Sequence, residues 1–445
     1  MIKYIFILFF SYGIITAQDP PKNFSVKEAV NFALENNAKI INAKLEVDKA
    51  YKEKWKTISE GLPQIKADFN YTNFLELPVS LIPAEFFGGQ EGDFAEVSFG
   101  TEQNLVGSAR ISQMIFDGSY IVGVKATETY LKVSDNALQK TNLEVEKSVN
   151  NAYLNTLLSN ENIDFIDNNI FNLEDNLKET KKLFKNGFIE EEAVEQLEIT
   201  LSELQSKRKF AYQFSLLSKD ILKIALGLKE GDELNLTSTL ESIMNLQVFE
   251  IPVIELWDIN SNIDIKIANN NVEYKRLEYK LEQSKSLPKL STFISGAYTG
   301  NNNSFLFNKQ NQKWFGSALF GVRLEVPLFS SFGRSASSQM AKISYEQSKI
   351  MLEKAEQEIK ISAKNARSNY ELAIDNFYVS KKNMSLAKRI ESKNQIKLSQ
   401  GMANSFELRQ AQTQLYRTQK DYLNAIQDLV SKKIELKTIL NITNN

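Results

Sequence analysis

The spacing of apolar residues along the chain predicts helices and strands in a regular order. Ser25-Val26-Lys27-Glu28 has the pattern of a capping box, and apolar residues follow it at helical spacing as far as Val47. After Leu62-Pro63 the period changes to two residues, because Ile65 and the next three apolar residues alternate with polar ones. The sequence therefore predicts a helix followed by a strand with one apolar face.

The same order of elements returns in the second half of the chain. The corresponding positions are offset by 225, 213 and 214 residues, so one insertion of about 12 residues in the first copy explains the spacing. We therefore predict a duplicated helix–strand–strand–long helical hairpin unit. The correspondences are Pro63 with Pro288, Phe116 with Phe329, and Gly187 with Gly401.

The patterns also give approximate boundaries. We expect a first repeat over 18–228, a linker over 229–254 and a second repeat over 255–445, with a long loop over 75–104. The predicted strands are 64–74, 105–115, 289–299 and 314–326, and the predicted long helices are 118–185, 188–227, 331–399 and 403–440.

The helix predicted directly after the second strand of each repeat is too long for a globular core. Each of 118–185 and 331–399 would extend about 100 Å at 1.5 Å per residue. Their apolar residues recur three or four positions apart, which is typical of a coiled-coil seam. The predicted strands suit the wall of a transmembrane barrel. Four strands cannot close a barrel, so the pattern indicates oligomerisation.

The composition argues against several classes of function. The chain has no Cys and no His, which removes disulfides, thiolate nucleophiles and the commonest metal ligand and general base. We therefore expect no enzyme activity, no catalytic residues, no cofactor and no metal site. The 53 basic residues nearly balance the 55 acidic ones, so we expect no nucleic-acid partner.

The N-terminus has the pattern of a signal peptide over residues 1–17. Lys3 precedes an apolar run, and Thr16-Ala17 supplies small residues before Gln18. The alternative is a membrane anchor, but the run of about a dozen residues is shorter than the roughly 20 that a spanning helix needs. The sequence therefore predicts export from the cytoplasm.

These features together resemble the TolC-like outer-membrane efflux protein family. The resemblance rests on the opening Ser25–Leu34, the Leu-Pro before each first strand, Ile115-Phe116-Asp117-Gly118 and Val326-Pro327-Leu328-Phe329. Many members have Asn-Pro where this chain has Asn36-Asn37.

The resemblance implies a homotrimer in the bacterial outer membrane. Its fold would be mainly α with a four-stranded β contribution per chain, forming a twelve-strand barrel in lipid on a periplasmic α-helical barrel. The implied partners are a periplasmic adaptor protein and an inner-membrane efflux pump or ABC exporter.

The resemblance also identifies candidate contacts with the adaptor at the tips of the helical hairpins. Glycine supplies the conformation that a helix reversal needs, and contact with the adaptor would be an additional role. The matching positions are Asn186, Gly187, Phe188, Gly401, Met402 and Ala403.

A tunnel gate is the second candidate site. The best-studied channel of the family has two acidic residues six and nine positions after the second glycine, and the matching positions here are Glu407 and Gln410. Threefold symmetry would turn Glu407 into a ring of carboxylates that attracts cations. The alternative is a solvated charge on a helix surface.

The predicted function is an exit duct that passes small molecules from a pump and adaptor to the outside. A type I protein-secretion duct is an alternative within the same class. A non-conducting coiled-coil scaffold of the envelope is an alternative from another class. The apolar faces of the four strands favour a channel over the scaffold.

Overall fold

The computed structural model describes residues 23–229, 231–246, 257–400, 402 and 404–442. The predicted signal peptide, Gly401, Ala403 and positions 230 and 247–254 of the predicted linker lie outside these ranges. Within them, no helix combines the length and apolarity needed to cross a membrane.

The predicted class, mainly α with a four-stranded β contribution, is confirmed. The first half contains β1 (Asn23–Phe24), α1 (Val26–Asn36), α2 (Ala38–Ser59), β2 (Gln64–Asn73), β3 (Val79–Pro83), β4 (Phe94–Ser98), β5 (Gln103–Phe116), α3 (Gly118–Lys185) and α4 (Glu191–Leu226). The second half contains β6 (Asn235–Leu236), α5 (Leu240–Leu246), α6 (Ile263–Ser284), β7 (Lys289–Asn302), β8 (Trp314–Glu325), α7 (Gly333–Ser399) and α8 (Ser405–Leu440).

The chain forms two compact units that cut across the predicted repeats. One unit comprises 1–42, 140–259 and 359–445, and the other comprises 43–139 and 260–358. Each unit therefore takes segments from both halves of the chain.

The second unit contains an antiparallel sheet in the order β2-β5-β7-β8. Strands from the two halves of the chain meet at β5 and β7, whose register runs from Gln103 opposite Asn302 to Phe116 opposite Leu290. Because side chains alternate between faces along a strand, this register determines which residues share each face.

One face of the sheet is apolar across all four strands, whereas the other is mixed and carries the charged residues. In four successive rows the apolar face consists of Ile65, Ala67, Phe69 and Tyr71 on β2, Ile111, Ala109, Gly107 and Leu105 on β5, Ile294, Gly296, Tyr298 and Gly300 on β7, and Phe320, Ala318, Gly316 and Trp314 on β8.

Aromatic rings cover several glycines of this sheet from the neighbouring strand. A Cβ at Gly107 would lie 3.0 Å from the Phe69 ring, and one at Gly316 would lie 3.3 Å from the Tyr298 ring. Each ring belongs to the residue directly opposite in the register. The glycines therefore give the rings a flat surface to pack on, and the rings compensate for the missing side chains.

The first unit has a helical core built from segments of both repeats. The larger apolar cluster includes Leu154 and Leu158 of α3, Tyr370 and Phe377 of α7, and residues of α8 from Leu423 to Leu440. A smaller cluster joins α3 to α4 through Leu173 and Leu197. These positions recur at three- and four-residue intervals, as the sequence pattern predicted.

Two segments that we expected to be irregular contain secondary structure. Within 75–104, β3 and β4 pair as an antiparallel ribbon with a short 3-10 helix between them. Within 229–254, β6 pairs in parallel with β1. Each ladder is short, with five residues per strand in the ribbon and two in each of β1 and β6, so local periodicity gave little signal for them.

The capping box at Ser25 is confirmed. The Ser25 hydroxyl accepts from the Glu28 N–H, and the Glu28 carboxylate accepts from the Ser25 N–H. Asn37 separates α1 from α2, and its side-chain amide donates to the Ala225 carbonyl at 2.7 Å. Asn37 therefore interrupts the helix at this point and ties the break to α4.

Asp117 joins β5 to α3 and to β7. Its carboxylate accepts from the N–H groups of Ser119 (2.7 Å) and Tyr120 (3.4 Å), and it pairs with the Lys289 ammonium at 3.2 Å. Partial burial alone would raise the pKa of the Asp117 carboxyl. The two N–H donors and Lys289 outweigh burial and hold the pKa below its usual value.

The first prediction concerns this charge. Asp117→Asn keeps an oxygen that can cap α3 but removes the ion pair. Because the folded-state pKa is lowered, the carboxylate contributes stability above the unfolded-state pKa of about 4, and this contribution is lost as the pH falls through the folded-state pKa. We expect the variant to be about 0.5–1 kcal/mol less stable at pH 7 and equal to wild type in acid.

Urea unfolding of the mature protein in detergent, followed by far-UV circular dichroism across a pH series, measures the difference. Asp117→Ala also removes the helix cap and should lose about 1 kcal/mol more than the asparagine variant. Parallel pH profiles for wild type and Asp117→Asn would contradict the assigned ion pair.

Candidate functional site

Both helical hairpins reverse direction with an equivalent backbone hydrogen bond at the turn. After α3 the Phe188 N–H donates to the Leu183 carbonyl at 3.0 Å, and after α7 the Met402 N–H donates to the Lys397 carbonyl at 2.8 Å. Each bond spans five residues, and the two bonds are 214 positions apart. Gly187 has φ +76°, a left-handed conformation that favours glycine.

The hairpin tips expose large apolar side chains beside these reversals. Phe188 is 75% exposed and Met402 is 66% exposed. Asn186 lies in the same turn, and its N–H donates to the Lys182 carbonyl. Gly401 and Ala403, the remaining predicted tip residues, lie outside the described residues. Exposed apolar groups at a chain reversal are available to a partner surface.

Charge changes sign across the first tip. The last turn of α3 carries Lys182 and Lys185, and the first turn of α4 carries Glu191 and Glu192. Each set has the sign that stabilises its helix end. This charge pattern therefore supports the fold of the hairpin and also gives the tip a basic side and an acidic side.

Glu407 and Gln410, the predicted gate residues, lie on the exposed side of the first turns of α8. The Asn404 side chain caps this helix by accepting the Glu407 N–H at 2.9 Å. The neighbouring Leu408 and Ala411 are buried. The cap and the buried pair fix the start of α8, so the Glu407 carboxylate is directed away from the helices of its own chain.

Polar side chains pair across the helices of the first unit. Asn169 and Gln419 exchange two amide hydrogen bonds, at 2.8 and 3.4 Å, and Gln395 donates to Asn176 at 3.0 Å. Amides in a long helix resemble a solvated face, so the apolar periodicity gave no sign of these pairs. Their spacing of seven residues on α3 was the available signal.

Several buried polar groups near the tips of α7 and α8 have raised pKa values or lack partners. Burial raises the pKa of the Glu391 carboxyl, and Lys388 offsets this only in part. Burial, and secondarily the Glu391 charge, raises the pKa of the Tyr416 hydroxyl. Both amide atoms of Gln412 are buried with no hydrogen-bond partner among the described residues. The packing here is therefore less favourable than in an apolar seam.

An aromatic cluster lies at one end of the apolar face of the sheet, opposite the end where α3 and α7 begin. Tyr71 packs edge-to-face on Phe305 and Phe307, with ring centroids 5.7 and 6.1 Å apart, and Phe307 also contacts Trp314. Such rings are typical of the boundary between the apolar and polar zones of a membrane.

Comparisons with known proteins agree with this architecture. Residues 259–441 match the family model described as outer membrane efflux protein. The resemblance predicted from the sequence is confirmed. The family model therefore covers only the second half of the chain. No curated protein sequence matches this chain.

Solved structures extend the fold similarity to nearly the whole chain. CusC, described as forming a transmembrane channel, is 17% identical with a TM-score of 0.75, over 93% of this chain and 91% of CusC. The outer membrane protein VceC of Vibrio cholerae is 13% identical with a TM-score of 0.70, over 93% and 95%. The MtrE outer membrane channel of Neisseria gonorrhoeae is 16% identical with a TM-score of 0.72, over 93% and 88%. At these identities the comparison establishes the fold.

The second prediction concerns the unpaired amide at Gln412. Gln412→Met preserves the size of the side chain and removes two buried polar groups without partners. We expect the free energy of unfolding to rise by roughly 1–2 kcal/mol. Chemical unfolding in detergent, monitored by the helical circular dichroism signal, measures the gain.

Gln410→Met is the matched control, because Gln410 is exposed and lies only two residues earlier in α8. This exposed substitution should change stability by less than about 0.5 kcal/mol. A loss of stability in Gln412→Met would mean that the amide has a partner that the single chain does not provide.

Proposed function

We propose that this protein is the outer-membrane exit duct of a tripartite efflux system, which passes small molecules from an inner-membrane pump and a periplasmic adaptor to the outside. The observation that carries the proposal is the two-faced sheet. Its apolar face is continuous across four strands, and the opposite face carries the charged residues. A sheet with lipid on one side and water on the other requires this division.

The open edges of the sheet support closure by further copies of the chain. Among the described residues, β2 and β8 each pair along one side only, which leaves a row of backbone donors and acceptors open on each. Lipid offers these groups no hydrogen bonds, so a spanning sheet must close. In the proposed trimer β2 of one chain pairs with β8 of the next, giving twelve strands with the polar face inward.

The helices of the proposed trimer continue the passage into the periplasm. Apolar residues remain exposed on the single chain along α4 and α7, including Phe210, Phe214, Ile224, Ile350 and Ile361. Packing against neighbouring copies would bury such residues. The duct performs no chemistry in this proposal; it provides a hydrated path, and the pump supplies the energy.

The third prediction tests conduction and the proposed gate. The purified mature protein in a planar bilayer should give discrete, trimer-dependent pore events. We place Glu407 in a ring of three carboxylates at the narrow end, so Glu407→Gln should raise the chloride-to-potassium permeability ratio by roughly two- to threefold. Gln410→Glu should lower this ratio.

Each result has a distinct meaning. If neither substitution changes the permeability ratio of the pores, the proposed duct is supported but Glu407 is not part of a gate. A folded trimer that inserts and never conducts, with its adaptor present, would favour the non-conducting scaffold.

The fourth prediction tests the adaptor contact at the hairpin tips. Phe188→Ser and Met402→Ser remove exposed apolar groups, so the double variant should bind the periplasmic adaptor at least tenfold more weakly, by loss of buried apolar area. Binding of purified trimer to the adaptor, measured by surface plasmon resonance, provides the readout.

Phe171→Ser is the control, because Phe171 is 65% exposed and lies on α3 away from the tip. A stable trimer of this control should bind the adaptor normally. Equal binding by the tip variant and wild type would leave the glycine turns with a purely structural role.

A further inference from the structure

The mixed face of the sheet has an excess of positive charge near the helices. Four basic residues occupy this face: Lys66 on β2, Arg110 on β5, Lys289 on β7 and Arg323 on β8. Only Asp68 and Glu325 oppose them on the same face. All four bases lie in the half of their strand nearest α2, α3, α6 or α7, so the charge is concentrated at one end of the sheet.

Two of these bases stand directly opposite each other. Lys66 pairs with Arg110 in the β2–β5 register, which brings their Cβ atoms to about 4.5–5.5 Å. Like charges at directly opposed positions destabilise a sheet. Asp68 lies one step further along the same face, opposite Ser108, but makes no ion pair within 4.0 Å with either base among the described residues. The sheet therefore retains an unfavourable pair.

Contacts hold part of this positive charge in place. The Arg110 guanidinium lies 3.9 Å from the centroid of the Phe293 ring on β7. Stacking on the ring fixes the plane of the guanidinium and leaves its N–H groups free at the edge. Lys289 differs, because the Asp117 carboxylate neutralises it at 3.2 Å. The bases without such an acid are Lys66, Arg110 and Arg323.

We propose that Lys66, Arg110 and Arg323 form a cationic segment of the passage that selects anionic solutes, those bearing carboxylate, sulfate or phosphate groups. This inference rests on the proposed function, because the mixed face becomes the inner wall only when three chains close the barrel. Nine bases would then surround the path at the helix end of the barrel.

The position of the bases excludes a role in binding lipid head groups. Lipid would cover the apolar face, whereas these side chains belong to the opposite face. A charged wall in a water-filled pore attracts ions of the opposite sign within a Debye length of about 10 Å at 0.1 M salt. An anion leaving the helical section would therefore meet a favourable potential as it enters the sheet.

The test is the reversal potential of single channels in a potassium chloride gradient at about 0.1 M. The Glu407→Gln channel is used as the background, so that carboxylates at the tip do not mask the effect of the sheet. We expect chloride to be the more permeable ion in this background. Adding Lys66→Gln, Arg110→Gln and Arg323→Gln should lower the chloride-to-potassium ratio roughly two- to threefold.

Two further variants serve as controls. Asp68 lies on the same face and has the opposite charge, so Asp68→Asn should raise the chloride-to-potassium permeability ratio. Lys52→Gln removes one exposed base from α2, away from the sheet, and should leave the ratio unchanged. Arg323→Gln alone provides a milder variant if the triple variant does not form trimers, and it should shift the ratio in the same direction.

The outcomes separate this inference from the proposed function. If the Glu407→Gln channels conduct but prefer potassium, the proposed anion selection is wrong and the proposed duct still stands. A ratio unaffected by the three substitutions would overturn the assignment of these residues. Folded trimers that never conduct would overturn the proposed function and the cationic segment with it.

Discussion

The four-stranded sheet has two open backbone edges and an exposed apolar face. The proposed assembly depends on covering both. The register joins β5 and β7 from opposite halves of the chain and leaves β2 and β8 at the two edges. An edge strand exposes unpaired N–H and C=O groups, and water or another strand must satisfy them. Closure by further copies would satisfy the hydrogen bonds of those edges, and lipid would cover the apolar face beside them.

The helices face a related problem and solve it differently. A helix of 68 residues such as α3 has more surface than its neighbours in one chain can cover. Apolar clusters bury part of it, and amide pairs such as Asn169 with Gln419 specify which residues lie opposite each other. A buried amide pair tolerates few alternative registers, whereas a purely apolar seam could slip by a turn. A buried amide without a partner, such as that of Gln412, instead costs stability.

The charged residues suggest a path with two regions of opposite sign. Glu407 is held at the capped start of α8, and Lys66, Arg110 and Arg323 share one face of the sheet. In the proposed trimer a solute would pass both a carboxylate ring and a cationic wall. Selection would then depend on weak electrostatic interactions, because a wide passage offers no tight binding pocket.

The sequence alone determined much of the local architecture. The two-residue period after Pro63 and Pro288 and the long three- and four-residue periods after Phe116 and Phe329 indicated the strands and helices, because amphipathic periodicity reflects one buried face. Glycine at 187 marked a reversal, since the left-handed conformation found there favours it. Glu407 and Gln410 came from resemblance to a family, and their role stays a prediction.

Only the tertiary structure decided which residues meet across the fold. The order β2-β5-β7-β8, the opposition of Lys66 and Arg110, and the stacking of Arg110 on Phe293 depend on strand register. The pairing of β1 with β6 and the burial of Gln412 and Glu391 depend likewise on partners distant in sequence. Periodicity shows which side of an element is buried, but it carries no information about the neighbour that buries it.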